Sequence, residues 1–252
     1  PGWREDPERL LNVDAILPEE LLKAHQSHKD FLLGYANSQT QKALSNDVLT
    51  IGFARRAAGY KRARLIFRDI DRLIDIGKGK IQIVFAGKAH PADNLGKSII
   101  YDVVQNATKL FGEVKVIYLE NYNLWLGRII TSGVDVWLNT PRITREASGT
   151  SGMTAAMNGS VNVSINDGWI PEFQKDGKNC FVLPELDHTI PVWEQDKLDA
   201  ENLYDILENK VIPMYYDRPS EWQKMVFQGI DDVIPEFSSH RMAEQYYKEL
   251  YK

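Results

Sequence analysis

Short apolar runs alternate with longer amphipathic runs through the middle of this 252-residue chain. Apolar runs of about four to eight residues predict strands that are buried on both faces, as in parallel sheets. The amphipathic runs between them have helical spacing and suit the crossovers that parallel strands require. The alternation therefore predicts an α/β fold, a Rossmann-like doubly wound parallel sheet with flanking helices.

The predicted elements fall into one domain over 1–252, because no repeat, low-complexity tract or linker interrupts them. It comprises an irregular leading segment and helix (1–46), an α/β core (47–190) and a helical tail (191–252). The predicted strands are 47–54, 80–87, 114–119, 134–139, 161–165 and 179–183. The predicted helices before the tail are 17–44, 60–77, 92–112, 122–133 and a short one near 152–158.

Two of these helices have apolar stripes that we expect to face the core. The first stripe comprises Leu21, Ala24, His28, Phe31 and Tyr35. The second comprises Ile66, Ile70, Leu73 and Ile74, and Gly77 ends that helix.

The composition limits the classes of function. The net charge of -5 argues against nucleic acid as a general partner, and no run approaches the ~18 apolar residues of a membrane span. No signal peptide opens the chain, so we expect a cytoplasmic location. The single cysteine, Cys180, excludes an internal disulfide and is expected to pack in the core. Because the chain starts at Pro1 rather than Met, we expect a piece of a longer protein.

Several polar loops follow the predicted strands, where open α/β sheets bind their ligands. The loop after the first strand carries five cations, namely Arg55, Arg56, Lys61, Arg62 and Arg64. Arginine offers a planar fork for phosphate and lysine a point charge, so we expect Arg56 and Lys61 to bind an anion. The predicted helix start near Lys61 would add its positive end. Arg62 and Arg64 are expected on a solvated helix face.

The segment 145–159, "REASGTSGMTAAMNG", lies between a predicted strand and a predicted helix. Gly149 and Gly152 would allow close backbone approach, and the hydroxyls of Ser148, Thr150 and Ser151 could meet a phosphate or sugar. Glu146 is interpreted either as an acceptor for sugar hydroxyls or as a structural partner of an arginine. The segment alone does not decide between these.

Other chemically notable residues have plainer interpretations. His25 and His28 are three apart on a helix, but no third metal ligand is evident, so we expect them to pack. His90 is expected to form structural hydrogen bonds, and Asp167 is expected in a turn, with a ligand contact as the alternative.

The chain has no nucleotide-binding glycine fingerprint and no G-x-S-x-G motif, which leaves hydride transfer, P-loop chemistry and serine hydrolysis without support. Seven blocks, spread over about 17–252, together resemble the α-glucan (glycogen, starch and maltodextrin) phosphorylases, most closely the compact bacterial and archaeal branch. They are "GFARRAAGYKRARLIF", "VFAGKAHP", "VIYLENYN", "VDVWLNTPRITREASGTSGMTAAMNG", "NDGWIPEF", "MYYDRPSEW" and "FSSHRMAEQYYKELY".

The resemblance implies a GT-B protein, in which two Rossmann-like domains face a cleft. It implies transfer of a terminal α-1,4-glucosyl unit of an α-glucan to inorganic phosphate, giving glucose 1-phosphate. It also implies pyridoxal phosphate as a cofactor that acts through its phosphate group. Only the C-terminal domain is represented, so the N-terminal domain is an expected partner. The family often dimerises, which leaves a homo-oligomer open for the longer protein.

The resemblance assigns roles to three groups of residues. The catalytic group is Arg56, Lys61 and Glu146. The group that grips the reacting glucose is Glu146, Ala147, Ser148 and Gly149. The cofactor-binding group is Arg55, Tyr122, Thr150, Ser151, Gly152 and the position of Thr154.

Thr154 departs from the family pattern. The family has a lysine there, which forms a Schiff base with pyridoxal phosphate, and threonine has no amine for this bond. Three interpretations stay open: an enzyme that holds the cofactor noncovalently or not at all, a divergent paralogue, or an artificial replacement of the lysine.

Two alternatives to a phosphorylase domain also stay open. One is a catalytically silent carbohydrate- or phosphate-binding paralogue, which Thr154 motivates. The other is a nucleotide-sugar glycosyltransferase, since GT-B folds serve both chemistries. If the chain is a phosphorylase domain, we expect it to be inactive in isolation, because the active site of such proteins forms between two domains.

Overall fold

A computed structural model describes residues 6–11, 15–110 and 112–251 of the chain. It contains six strands in one parallel sheet, in the order β3-β2-β1-β4-β5-β6. The strands are β1 Leu49–Ala54, β2 Ile81–Ala86, β3 Lys115–Leu119, β4 Val136–Asn139, β5 Val161–Ser164 and β6 Cys180–Val182. The predicted doubly wound α/β fold is confirmed, and this strand order is the one of Rossmann folds.

Ten α-helices lie within the described residues. They are α1 Pro18–Thr40, α2 Ile70–Gly77, α3 Asn94–Lys109, α4 Leu124–Gly133, α5 Ser151–Met157, α6 Ile170–Phe173, α7 Val192–Ile206, α8 Ile212–Asp217, α9 Pro219–Phe237 and α10 Ser239–Glu249. The tail after 191 is helical as predicted, with one π turn over Leu207–Val211. The leading segment, predicted as irregular, contains a 3-10 turn over Pro7–Leu11. No described helix is both long enough and apolar enough to cross a membrane.

The central strands are buried on both faces, as their apolar runs predicted. Every residue of β1 and β2 is buried, and helices cover the sheet from either side. Cys180 packs in this core, where burial raises the pKa of its thiol to about 12. The cysteine is therefore a packed apolar residue, as expected.

The buried face of α1 differs from the predicted stripe. The structure buries Lys29, Leu32, Leu33 and Ala36. His28 is exposed rather than packed, and Phe31 is 56% exposed. The prediction was wrong because it excluded a lysine from the core, whereas the ammonium of Lys29 has a buried carboxylate as its partner.

The predicted continuous helix over 60–77 is also wrong. Two 3-10 turns, Gly59–Lys61 and Leu65–Phe67, precede α2. Between them lies Arg62, whose backbone is left-handed with a φ of 54°. Lys61 therefore has no α-helix start beside it to add positive charge.

Burial of Arg62 explains why the helix predicted over 60–77 is interrupted there. The expectation that Arg62 lies on a solvated helix face is therefore wrong. Its guanidinium donates to the carbonyls of Thr140 and Pro141, each at 2.9 Å. It also lies 2.7 Å from the Asp199 carboxylate of α7. Arg64 is on the surface as expected, 2.6 Å from Asp102.

A buried charge cluster joins the amino ends of β1 and β4. The Lys29 ammonium lies 2.6 Å from Asp135 Oδ2, which also accepts the backbone N–H of Thr50 at 2.7 Å. Lys29 further contacts the Tyr215 hydroxyl at 3.0 Å, and His25 Nε2 lies 3.4 Å from Asp135 Oδ1. Burial raises the pKa of Asp135, but Lys29 and His25 outweigh it, and the pKa lies below its ordinary value. The cluster thus ties α1, β1, β4 and α8 together.

We predict that Asp135→Ala lowers the free energy of unfolding by about 3–5 kcal/mol, because it leaves the Lys29 ammonium buried without a counter-charge. Urea denaturation followed by circular dichroism measures this. The matched control is Asp102→Ala, which removes an exposed partner of Arg64 and should cost less than about 1 kcal/mol. Equal small losses in both variants would contradict the assignment.

Candidate functional site

The candidate site lies where the strand order reverses. β1 pairs with β4, although β2 and β3 come between them in the sequence. Because the connections after β1 and β4 leave toward opposite sides of the sheet, a crevice opens at the carboxyl ends of these strands. The loops over 55–69 and 140–150 border this crevice, and they carry most of the predicted site residues.

Lys61 and Glu146 meet across this crevice. The Lys61 ammonium contacts both carboxylate oxygens of Glu146, and the side chains are 14% and 5% exposed. Arg55 Nη1 lies 3.9 Å from Glu146 Oε2. The sequence left two roles open for Glu146, and the structure shows it paired with the cations Lys61 and Arg55.

The end of β4 fixes the Arg55 guanidinium. It donates to Asn139 Oδ1 and, at 3.4 Å, to the carbonyl of Leu138, and its carbon lies 5.0 Å from the centre of the Phe53 ring. Burial lowers the pKa of Arg55 to about 10, and Glu146 acts in the opposite direction. Arg55 therefore carries a positive charge at neutral pH from a fixed position.

Asp167 clamps the backbone of the Glu146 loop. Its Oδ2 accepts the N–H groups of Arg145 at 3.1 Å and Glu146 at 2.9 Å. The next residue, Gly168, has a φ of 66°, and a Cβ there would lie 2.4 Å from the Ala147 carbonyl oxygen. Sequence reasoning placed Asp167 in a turn but missed this clamp, for which the Asp-Gly pair after β5 was the available signal.

A cavity of about 1030 Å³ lies beside this loop, between α4 and α5. Four residues predicted to bind a cofactor line it, namely Tyr122, Thr150, Ser151 and Thr154. Burial raises the pKa of Tyr122, while Arg55 lowers it to a smaller degree. The structure therefore brings together residues that are up to 32 positions apart in sequence.

Gly152, which was expected to allow close backbone approach to a ligand, is tightly packed on the side where a Cβ would lie. It is buried, and a Cβ there would lie 2.8 Å from both Asn162 Oδ1 and Trp169 Nε1. Asn162 also donates to the Gly152 carbonyl at 3.1 Å. Its lack of a side chain is thus required for packing of α5 against the sheet.

Three other predicted residues lie apart from these contacts. Arg56 is exposed, and its side chain forms no hydrogen bond or ion pair within the described residues. His90 accepts the N–H of Ala92 at 3.1 Å, a local structural bond of the kind expected. His25 contacts Asp135, and the described part of the chain contains no group of three His, Cys, Asp or Glu residues that could hold a metal ion.

Comparison with known proteins finds similarity to phosphorylases, both in a family model and in individual relatives. The family model for carbohydrate phosphorylases matches residues 2–205. A maltodextrin phosphorylase of Thermococcus litoralis is 40% identical over 268 aligned positions, which cover 99% of this chain and 32% of that protein. A glycogen phosphorylase of Aquifex aeolicus is 43% identical, covering 82% of this chain and 31% of that protein. The chain therefore spans about a third of the length of these relatives.

We predict that Asp167→Ala speeds hydrogen exchange of the Arg145 and Glu146 amides by about tenfold or more, since both lose a charged acceptor. Mass-spectrometric or NMR exchange measures this directly. The control is Asp187→Ala, whose carboxylate accepts the Thr189 N–H at 2.8 Å on the surface and should leave amides 145 and 146 unchanged. Unaltered exchange at both amides in Asp167→Ala would refute the clamp.

Proposed function

This chain belongs to the carbohydrate phosphorylase family, and from that premise we propose that it is the C-terminal Rossmann-like domain of an α-glucan phosphorylase. The longer protein would transfer a terminal glucosyl unit of an α-1,4-glucan to inorganic phosphate. The bond from glucosyl C1 to the glycosidic oxygen breaks, and a bond from C1 to a phosphate oxygen forms. A phosphate proton passes to the departing glucan oxygen, and glucose 1-phosphate results.

The observation that carries this proposal is the contact of Lys61 and Glu146 at the switch point, with Arg55 beside them. The reaction brings a polyhydroxylated sugar and an anion together. A carboxylate beside cations offers acceptors for sugar hydroxyls and donors for phosphate oxygens within one small volume. A site that binds only a sugar, or only an anion, does not need acceptors and cationic donors together.

The charge balance favours an anion at this place. Arg55 and Lys61 contribute two positive charges beside the one negative charge of Glu146, which leaves one positive charge among these three side chains. The Lys61 ammonium has three donors, so it can keep Glu146 as a partner while it binds a phosphate oxygen. Arg56 and Lys61 are the proposed phosphate ligands and would stabilise charge that develops in the transition state.

The glucose would lie on the clamped loop. Glu146 can accept hydrogen bonds from two sugar hydroxyls, and the backbone of Ala147, Ser148 and Gly149 would provide further short polar partners. The Asp167 clamp and the bond from the Trp169 N–H to the Ser148 carbonyl, at 3.0 Å, hold this backbone before the sugar arrives. Such preorganisation lowers the cost of ordering on binding.

Pyridoxal phosphate fits this chain in part. The hydroxyls of Tyr122, Thr150 and Ser151 border one cavity and suit a phosphate ester. When bound, the cofactor supplies a second phosphate group beside the substrate phosphate. Thr154 does not fit covalent attachment, because an imine requires a primary amine.

Thr154 favours a second candidate function. A paralogue that binds glucan and phosphate without turnover would keep Lys61 and Glu146 and lose the cofactor anchor. An assay of the longer protein distinguishes the candidates, since phosphorolysis of maltodextrin occurs only in the first.

We predict that Lys61→Ala weakens binding of both inorganic phosphate and glucose 1-phosphate by about tenfold, because each loses a charged donor. Glu146→Gln should weaken glucose 1-phosphate and leave inorganic phosphate bound at least as tightly, since only the sugar needs this acceptor. Isothermal calorimetry measures both. The matched controls are Lys175→Ala and Glu244→Gln, which alter exposed ion pairs outside the crevice.

The proposal would be refuted if neither anion bound the wild-type chain at millimolar concentration, or if the control variants weakened binding as much as the site variants. Circular dichroism confirms that each variant is folded.

We also predict that the isolated chain produces no glucose 1-phosphate from maltodextrin and phosphate, since it spans about a third of its relatives' length. Robust turnover in a coupled assay would contradict the proposed need for a second domain.

A further inference from the structure

A buried side chain next to Lys61 joins the two loops of the candidate site. Arg62 follows Lys61 directly and is 6% exposed. Its Nε donates to the Thr140 carbonyl and its Nη2 to the Pro141 carbonyl, each at 2.9 Å. Both carbonyls belong to the loop that continues to Glu146. One guanidinium therefore holds the loop of Lys61 against the loop of Glu146.

A main-chain hydrogen bond joins the same two loops. The Arg142 N–H donates at 2.7 Å to the carbonyl of Tyr60, the residue before Lys61. The Arg142 carbonyl accepts the N–H of Arg145 at 3.1 Å, and this turn leads directly into Glu146. Together with the two side-chain bonds, it fixes the main chain beside Lys61 relative to the turn before Glu146.

Two carboxylates of α7 hold the guanidinium in this orientation. Asp199 Oδ2 lies 2.7 Å from Arg62 Nη2, and Asp196 Oδ1 lies 3.0 Å from Arg62 Nη1. Asp196 is shared with Arg142, whose Nη2 lies 3.1 Å from Oδ1 and 3.2 Å from Oδ2. Every guanidinium nitrogen of Arg62 thus has an oxygen partner, and the planar group is held in one orientation.

Burial limits what these ion pairs can contribute to stability. It raises the pKa of Asp199 above its ordinary value, although Arg62 acts in the opposite direction. Desolvation offsets much of the attraction within buried ion pairs, so they add little net stability compared with apolar packing. The planar fork of Arg62 adds direction, because it fits one arrangement of the surrounding carbonyls and carboxylates. We therefore expect its effect in the geometry of the two loops.

We propose that Arg62 is a positioning residue, which fixes Lys61 opposite Glu146 for the binding of a phosphate ligand. Asp196 and Asp199 act through Arg62, so the helical tail takes part in the site by holding its loops. A site whose charged donors are held before binding loses less free energy in ordering them. The inference rests on the proposed function, since it concerns the phosphate ligand of that site.

The first experiment compares Arg62→Lys with the wild type. Lysine keeps the positive charge beside Asp199, but an ammonium cannot reproduce the planar fork that reaches carbonyls and carboxylates together. We expect inorganic phosphate to bind about fivefold more weakly by isothermal calorimetry, since Lys61 is less well preorganised. The matched control is Arg72→Lys, which alters a pair between α2 and Glu208 of the tail and should bind phosphate as the wild type does.

A double-mutant cycle tests whether Arg62 acts through Lys61. In the Lys61→Ala background, Arg62→Lys should weaken phosphate binding by less than about twofold, because the group that it positions is gone. Equal losses in the two backgrounds would mean that Arg62 supports the crevice in general, and the inference would be wrong.

Asp196→Asn tests the α7 carboxylates with a milder change, because the Asp196 side chain is 25% exposed. Removal of a negative charge near the crevice would by itself strengthen anion binding. Loss of positioning has the opposite sign, and we expect phosphate to bind about threefold more weakly. The matched control is Glu208→Gln, which removes the exposed partner of Arg72 and should not weaken phosphate binding.

Hydrogen exchange tests the joint between the loops without any ligand. Arg62→Lys should speed exchange of the Arg142 amide by about tenfold, because the two loops separate more often. The Thr189 amide, which donates to Asp187 on the surface at 2.8 Å, is the internal control and should exchange as in the wild type.

Three results would overturn the inference: wild-type phosphate affinity in Arg62→Lys, equal losses in the two backgrounds, or unchanged exchange of the Arg142 amide. If circular dichroism shows that Arg62→Lys does not fold, Asp196→Asn decides by the same binding and exchange measurements, and unweakened binding there would overturn the inference.

Failure of this inference is distinguishable from failure of the proposed function. A wild-type chain that binds neither phosphate nor glucose 1-phosphate refutes the proposed function, and the positioning role with it. A wild-type chain that binds phosphate no more tightly than Arg62→Lys refutes the positioning role alone.

Discussion

The pairing of β1 with β4 is the contact on which both the fold and the candidate site depend. Two registered pairs join these strands, Ile51 with Val136 and Gly52 with Trp137. The short contact is reinforced at both ends by buried charges. Lys29 and Asp135 join the strands at their amino ends, and Arg55 and Asn139 join them at their carboxyl ends. The crevice can exist only where these two strands are neighbours and their connections diverge.

The two ends of this contact use charge differently. At the amino end, the Asp135 carboxylate has Lys29, His25 and a backbone N–H as partners, so its capacity is filled by the protein. At the carboxyl end, cations outnumber the Glu146 carboxylate, and Arg56 has no partner within the described residues. A saturated cluster stabilises the fold, whereas an unsaturated one retains attraction for an anion. Pairing of charges thus stabilises the fold at the amino ends of β1 and β4, and it is proposed to serve ligand binding at their carboxyl ends.

Local pattern was sufficient for the strands and for the grouping of the site loops. Buried parallel strands have uninterrupted apolar runs, and their carboxyl ends converge whatever the strand order. Local pattern was insufficient to predict the burial of Lys29 and Arg62. Each of these cations pairs in the core with a carboxylate that lies more than a hundred residues away in sequence. Hydrophobic periodicity predicts burial from the polarity of each residue alone, so it does not detect a counter-charge that is distant in sequence. The clamp of Asp167 was missed for a related reason: the Asp-Gly pair indicates a turn, but the amides that Asp167 binds lie 22 and 21 residues earlier in the sequence.

The Asp167 clamp has a consequence for substitutions at Arg145 and Glu146. It holds Arg145 and Glu146 through their main-chain amides, which every residue except proline supplies. A substitution at either of these two positions by a residue other than proline therefore keeps the amide that the clamp binds. Side-chain chemistry at these positions is thus separable from backbone position, which depends on Asp167 and on Gly168, where a Cβ would lie 2.4 Å from the Ala147 carbonyl oxygen.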